Sequence, residues 1–146
     1  MQERMRMDEV APGGYRKVME LFQYSQATVD PVLLELIMLR ASVVNGCAFC
    51  VDMHSADAIK AGESARGLFA VSAWRESPFF SEEERTALAV TDAVTKIGDD
   101  GIPAQLWAAA REIWSEKKLA DIVMAAIMIN SFNRIAISSR ALPEGA

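Results

Sequence analysis

Apolar positions along this chain recur every three or four residues, the spacing of a helix with one buried stripe. Val18, Leu21 and Phe22 set that rhythm in a first helix over residues 15–28. In "DPVLLELIMLRASVV", Asp30 is placed as an N-cap and Pro31 as the first helical residue, and the apolar run stops at Asn45-Gly46. A third helix is expected from about Cys47 to Ala61, closed by Gly62. "ESARGLFAVSAW" gives a short fourth, weakened by Gly67. Ser81 and Glu84 have the S-x-x-E spacing of a capping box ahead of a helix that runs to about Ile97 and ends at Gly98. "GIPAQLWAAAREIWS" has a proline near its start, and "EKKLADIVMAAIMINSFNRIAISSR" reads as a long last helix. No segment alternates with period two, so strands are not expected.

The pattern therefore predicts an all-α bundle of about six to seven helices. No repeat, low-complexity tract or linker divides the 146 residues, and a single domain over 1–146 is expected. A hydrophobic share of 51% with 24% charged residues is that of an ordinary folded chain. The net charge of −5, without a basic face, argues against a nucleic-acid partner. "MQERMRMDEV" lacks the apolar stretch of a signal peptide. The most apolar run, Ile122 to Ile129, is far shorter than the roughly 18 residues a membrane span needs. A cytoplasmic protein with no membrane partner is expected. That last apolar helix also looks like more than a small monomer can hide, which favours an oligomer.

The chemistry concentrates in "NGCAFCVDMHSAD". Both cysteines, Cys47 and Cys50, and the only histidine, His54, fall within eight residues. On a continuous helix Cys50 lies about 60° and His54 about 20° from Cys47, so the three would share a face. Cys50 and His54, one turn apart, are within reach of a thiolate–imidazole contact. Cys47, at the helix start, faces unpaired amides that favour a thiolate. On the preceding helix Glu35 has no partner one turn away and stands among apolar residues. A carboxylate there is either desolvated or paired from another helix, and Glu35 is placed to face Cys47 or His54 and move a proton. Zinc held by these four groups is disfavoured. Structural zinc sites draw ligands from separate knuckles, and three ligands on one helix would spread about 10 Å along its axis.

Glu35, Cys47, Cys50 and His54 reproduce the spacing E-x11-C-x2-C-x3-H, which resembles the AhpD-like alkylhydroperoxidase core of the carboxymuconolactone decarboxylase superfamily. "VNGCAFCVDMHSADA", "AWRESPFFSEEERTAL" and "INSFNRIAI" are also similar to its small single-domain members, so the resemblance spans about Leu33 to Ile137, within a motif-bearing core at about 30–140. The resemblance implies an all-helical fold assembled into trimers or hexamers and a peroxidase acting through a redox-active disulfide. In that scheme Cys50 attacks a hydroperoxide and becomes a sulfenic acid, Cys47 condenses with it, and Glu35 and His54 relay protons. It implies a thiol or lipoyl-type reductant, no cofactor and no resident metal. Helix position alone would instead favour Cys47 as the more acidic thiol. Two departures stand out: Phe49 lies between the cysteines where the best-known peroxidase of the family carries a histidine, and that protein has two related halves where this chain has room for one. The alternatives are a non-catalytic redox sensor or metal-binding helical protein, and a lactone decarboxylase or isomerase, an activity that does not depend on a Cys-x-x-Cys pair.

Three further readings concern packing. Trp74, Phe79 and Phe80, around Pro78, are expected to anchor a loop or fill a subunit interface rather than line a pocket. The eight methionines read as core filler. Arg134 is expected to make an interface salt bridge.

Overall fold

The structure is a computed structural model that describes residues 2–143 and 145. It contains eight α-helices and no strand among the described residues: α1 (Met7–Val10), α2 (Pro12–Thr28), α3 (Pro31–Asn45), α4 (Ala48–Ala61), α5 (Ala65–Ala70), α6 (Glu82–Thr95), α7 (Ala104–Ile113) and α8 (Glu116–Ser139). A 3₁₀ turn, Val71–Ala73, follows α5, and Gly98 and Gly101 form an isolated bridge.

Helix boundaries follow the local signals closely. Asp30 caps α3 by accepting from the amides of Val32 and Leu33, and Gly46 ends it with φ 70°, a left-handed conformation that costs glycine little. Ser81 and Glu84 form the complete capping box of α6. Ser81→Ala is expected to cost about 1 kcal/mol and to lower the urea midpoint without changing the slope. Two features departed from the pattern. The second helix starts at Pro12, three residues before the expected start, because Pro suits the first turn even ahead of Gly13 and Gly14. The four-residue α1 carries no apolar stripe to reveal it.

The bundle is built around α3 and α8. Helix α3 packs on α4, α6 and α8, while α8 also packs on α2 and α6. Leu36, Ile37, Met38 and Leu39 of α3 and Ile122, Met128 and Ile129 of α8 are at most 2% exposed, each contributing about 1.5–3 kcal/mol by burial. Helix α8 is, at 24 residues, long and apolar enough to cross a membrane by length and composition. Half of its most apolar window is buried inside the protein, as in a core helix. Between Ile122 and Ile129 only Ile127 is exposed, while Ile137 further along the helix is exposed too.

Trp74 and Phe80 are buried and anchor the connection before α6; Phe79 is exposed, under the Arg66 guanidinium. Arg85 fastens the same connection by donating to the carbonyls of Trp74, Arg75 and Ser77. Within the chain, Arg134 donates to the backbone and side-chain oxygens of Asn130.

Candidate active site

The turn into the cysteines is clamped before α4 begins. Asn45 donates from Nδ2 to Oδ1 of both Asn130 (2.9 Å) and Asn133 (2.8 Å) on α8. Asn133 in turn donates to Ser42 Oγ, and the Cys47 amide donates to the Ser42 carbonyl at 2.9 Å. Together with the left-handed Gly46, these bonds turn the chain back so that α4 lies along α3.

Cys47 is the N-cap of α4, with extended backbone angles, rather than its first helical residue. Its sulfur accepts the Cys50 amide at 3.3 Å. The two sulfurs lie at disulfide-bonding distance, with Cα atoms 5.3 Å apart, and both residues are 2% exposed. Phe49 and Ala141 pack against this pair and Ala136. One turn beyond Cys50, the buried His54 places Nδ1 3.0 Å from Oε2 of Glu35, which reaches across from α3. Glu35 therefore faces His54, one of the two partners open to it. With the carboxylate accepting, the ring proton sits on Nδ1 and Nε2 is left as the basic nitrogen.

A cavity of about 780 Å³ opens beside these groups. Cys50, His54 and Glu35 line it, whereas Cys47 does not. Asp57, which the sequence reading passed over, lines it too. Cys50, His54 and Asp57 follow at i, i+4 and i+7, one stripe of α4, and this spacing was the available signal. Glu35, His54 and Asp57 offer ligand atoms within 4.8 Å of one another, so the metal-capable set among the described residues contains neither cysteine. Six of the eight methionines, Met5, Met7, Met19, Met38, Met53 and Met128, line the same cavity. Met38 and Met128 are fully buried core residues as well; the others correct the reading of methionine as filler.

The comparisons with known proteins agree with this geometry. The chain is 38% identical over 139 residues to YdfG of Bacillus subtilis, an uncharacterized protein, across 94% of this chain and 95% of the relative. The crystal structure of ATU0492 from Agrobacterium tumefaciens, a protein of unknown function whose description links it to the antioxidant defence protein AhpD, superposes with a TM-score of 0.94 at 37% identity. That match covers 99% of this chain and 100% of the other. An alkylhydroperoxidase AhpD core protein from Ralstonia eutropha shares the fold, with a TM-score of 0.79 at 19% identity over 95% of this chain and 75% of its own. Residues 12–93 match the profile of the carboxymuconolactone decarboxylase family. An all-α fold, a Cys-x-x-Cys pair whose Cys50 lines the same cavity as a Glu–His couple, and these likenesses make the chain an AhpD-like member of the carboxymuconolactone decarboxylase superfamily.

Proposed function

We propose that the protein is a thiol-dependent peroxidase or disulfide oxidoreductase that reduces organic hydroperoxides through Cys47 and Cys50. The observation that carries this reading is the placement of Cys50 on the cavity wall beside the His54–Glu35 pair. Cys50 passes its thiol proton to Nε2 of His54, the thiolate attacks the outer oxygen of the hydroperoxide, the O–O bond breaks, and the alkoxide takes that proton from His54 and leaves as the alcohol. Cys50 is then a sulfenic acid. Cys47 attacks its sulfur, water leaves, and the disulfide closes. A thiol or lipoyl-type dithiol returns two electrons and two protons, completing the cycle without a cofactor. The likeness to an AhpD antioxidant-defence description supports the same chemistry.

The direct test is intact mass of the reduced protein after one equivalent of cumene hydroperoxide. A loss of about 2 Da within seconds is expected, and an unchanged mass after minutes would sink the proposal. Glu35→Gln is expected to slow the loss by roughly 10²-fold, since it leaves His54 without its acid partner.

A second reading, a metal-binding protein, is favoured by one observation, the convergence of Glu35, His54 and Asp57. Stoichiometric zinc retained after dialysis, and lost in Asp57→Asn, would select it over the redox reading. A homo-oligomer in the cytoplasm belongs to the proposal as well. Phe69, 83% exposed, is an apolar side chain open to such a contact, and light scattering of the full chain tests it.

A further inference from the structure

The His54–Glu35 pair has an acidic neighbour in Asp57. Ligand atoms of the three residues all lie within 4.8 Å of one another. His54 and Asp57, three residues apart, share one face of α4 as a chelating pair. Glu35 completes the set from α3, with its Oε2 3.0 Å from Nδ1 of His54. All three line the cavity, so positions that the protein leaves open on an ion would face the interior of that cavity.

The donor set is selective in kind. One imidazole and two carboxylates suit zinc and its first-row neighbours, whereas magnesium and calcium prefer all-oxygen sites. A neutral ring with two carboxylates carries two negative charges, the complement of a divalent cation. Ligand atoms about 2.1 Å from one zinc stand roughly 3.4 Å apart in a tetrahedron, so the set has to tighten a little. Asp57 can supply that movement. Its side chain is 40% exposed and is paired at 2.8 Å with Lys60, itself 75% exposed, and a surface pair of this kind yields readily to a metal. Of the lysines and arginines among the described residues only Arg6 lines the cavity. It is held by Asp8 at 2.8 Å and Glu9 at 3.7 Å, and Glu3 adds its charge to theirs.

An ion and the proton relay need the same electron pair. A neutral imidazole has one lone pair to give. An ion on Nε2 occupies the basic nitrogen, and an ion on Nδ1 moves the ring proton to Nε2, which then donates instead of accepting. Either way His54 takes no proton from Cys50. We infer that Glu35, His54 and Asp57 form an exchangeable site for a first-row divalent cation such as zinc, and that the bound ion switches Cys50 off. The site stands on geometry alone; the switch rests on the reading of Cys50 as the attacking thiol. Exchange follows from the ligand count, three with one on a part-exposed side chain, where closed structural zinc sites use four.

The test separates the ion from the thiols. In the full-length Cys47→Ser/Cys50→Ser variant, calorimetric titration with zinc chloride is expected to show one ion per chain, and titration with magnesium chloride none. Adding Asp57→Asn is expected to weaken zinc by about tenfold or more. Adding Lys60→Ala is expected to tighten it, a gain that a merely destabilised chain would not show. Absence of zinc binding, equal binding of magnesium, or zinc binding that Asp57→Asn leaves unchanged overturns the inference. The switch is read in Cys47→Ser, where Cys50 is the only thiol, as the rate of alkylation by iodoacetamide with zinc divided by the rate without. A ratio of about one tenth or less is expected, returning to unity with EDTA. With Asp57→Asn on the same background it is expected to stay near unity at the same zinc concentration. A ratio near unity in Cys47→Ser overturns the switch, and so does a low ratio that survives Asp57→Asn, which would put the ion on Cys50 itself. If zinc binds and slows alkylation as expected but no hydroperoxide oxidises the zinc-free thiols, the peroxidase reading fails while the metal site stands.

Discussion

Cys50→Ser is expected to abolish hydroperoxide-driven thiol oxidation, with a rate loss of roughly a thousandfold or more. Cys47→Ser is expected to react at close to the wild-type rate and then stop, trapped with a mass gain of about 16 Da. Two features of the site bear on this asymmetry and point in opposite directions. Cys47 Sγ accepts the Cys50 amide at the start of α4, where the helix favours a negative sulfur. Cys50 lines the cavity and is followed one turn later by His54, held by Glu35. Attack requires contact with the substrate first and acidity second, because a thiolate shut away from the cavity meets no peroxide. Access decides for Cys50. Quenched-flow mass spectrometry of the two variants reads the result directly, and a mass gain of about 16 Da in Cys50→Ser instead would move the attack to Cys47.

Asp92→Ala is expected to cost about 3 kcal/mol at neutral pH. Asp92 on α6 accepts from Arg40 on α3 at 2.6 and 3.1 Å, from Trp74 Nε1 at 3.2 Å, and pairs with Arg75 at 2.8 Å. The side chains of Arg40 and Asp92 are 11% and 14% exposed, so truncation leaves a mostly buried guanidinium without its counter-ion. Burial by itself would raise the Asp92 pKa. The hydrogen bonds and charge of Arg40, with Trp74 and Arg75, outweigh it and hold the carboxyl below its ordinary value of 3.8. A carboxyl depressed in the folded state contributes its stability above the unfolded value and loses it as pH falls through the folded one. The gap in urea midpoint between wild type and Asp92→Ala is therefore expected to be full at pH 7 and to narrow below pH 4. A gap independent of pH would mean that Asp92 acts by packing rather than charge.

Most of the helices could be read from the sequence because their ends are local. Asp30, Gly46, Gly62 and the Ser81–Glu84 box act within one turn of themselves, and so a one-dimensional pattern contains them. The redox pair, His54 and Glu35 were legible for a related reason: three lie on or at the start of one helix, and the fourth is an acid stranded in an apolar run. What escaped depends on chain segments far apart. The Arg40–Asp92 pair spans 52 residues, the asparagine clamp on the cysteine turn more than 80, and the Arg4–Ser139 bond joins the two ends of the chain. Periodicity reports which side of a helix is apolar and not what it is apolar against. Methionines of α2, α3, α4 and α8 look alike in the sequence, whether they end in close packing or around a cavity. Asp57 was hidden for the opposite reason, since an acid with Lys60 three residues on looks like an ordinary solvated pair.

The cap on α4 has a bearing on the return half of the proposed cycle. A reductant entering through the cavity meets the sulfur of Cys50, and the sulfur expelled is that of Cys47, which the Cys50 amide already holds at the helix start. Thiol exchange runs faster when the departing sulfur is the better stabilised anion. In the proposed cycle the cysteine that does not line the cavity is thus the natural leaving group, and oxidant and electron donor would take turns at one doorway.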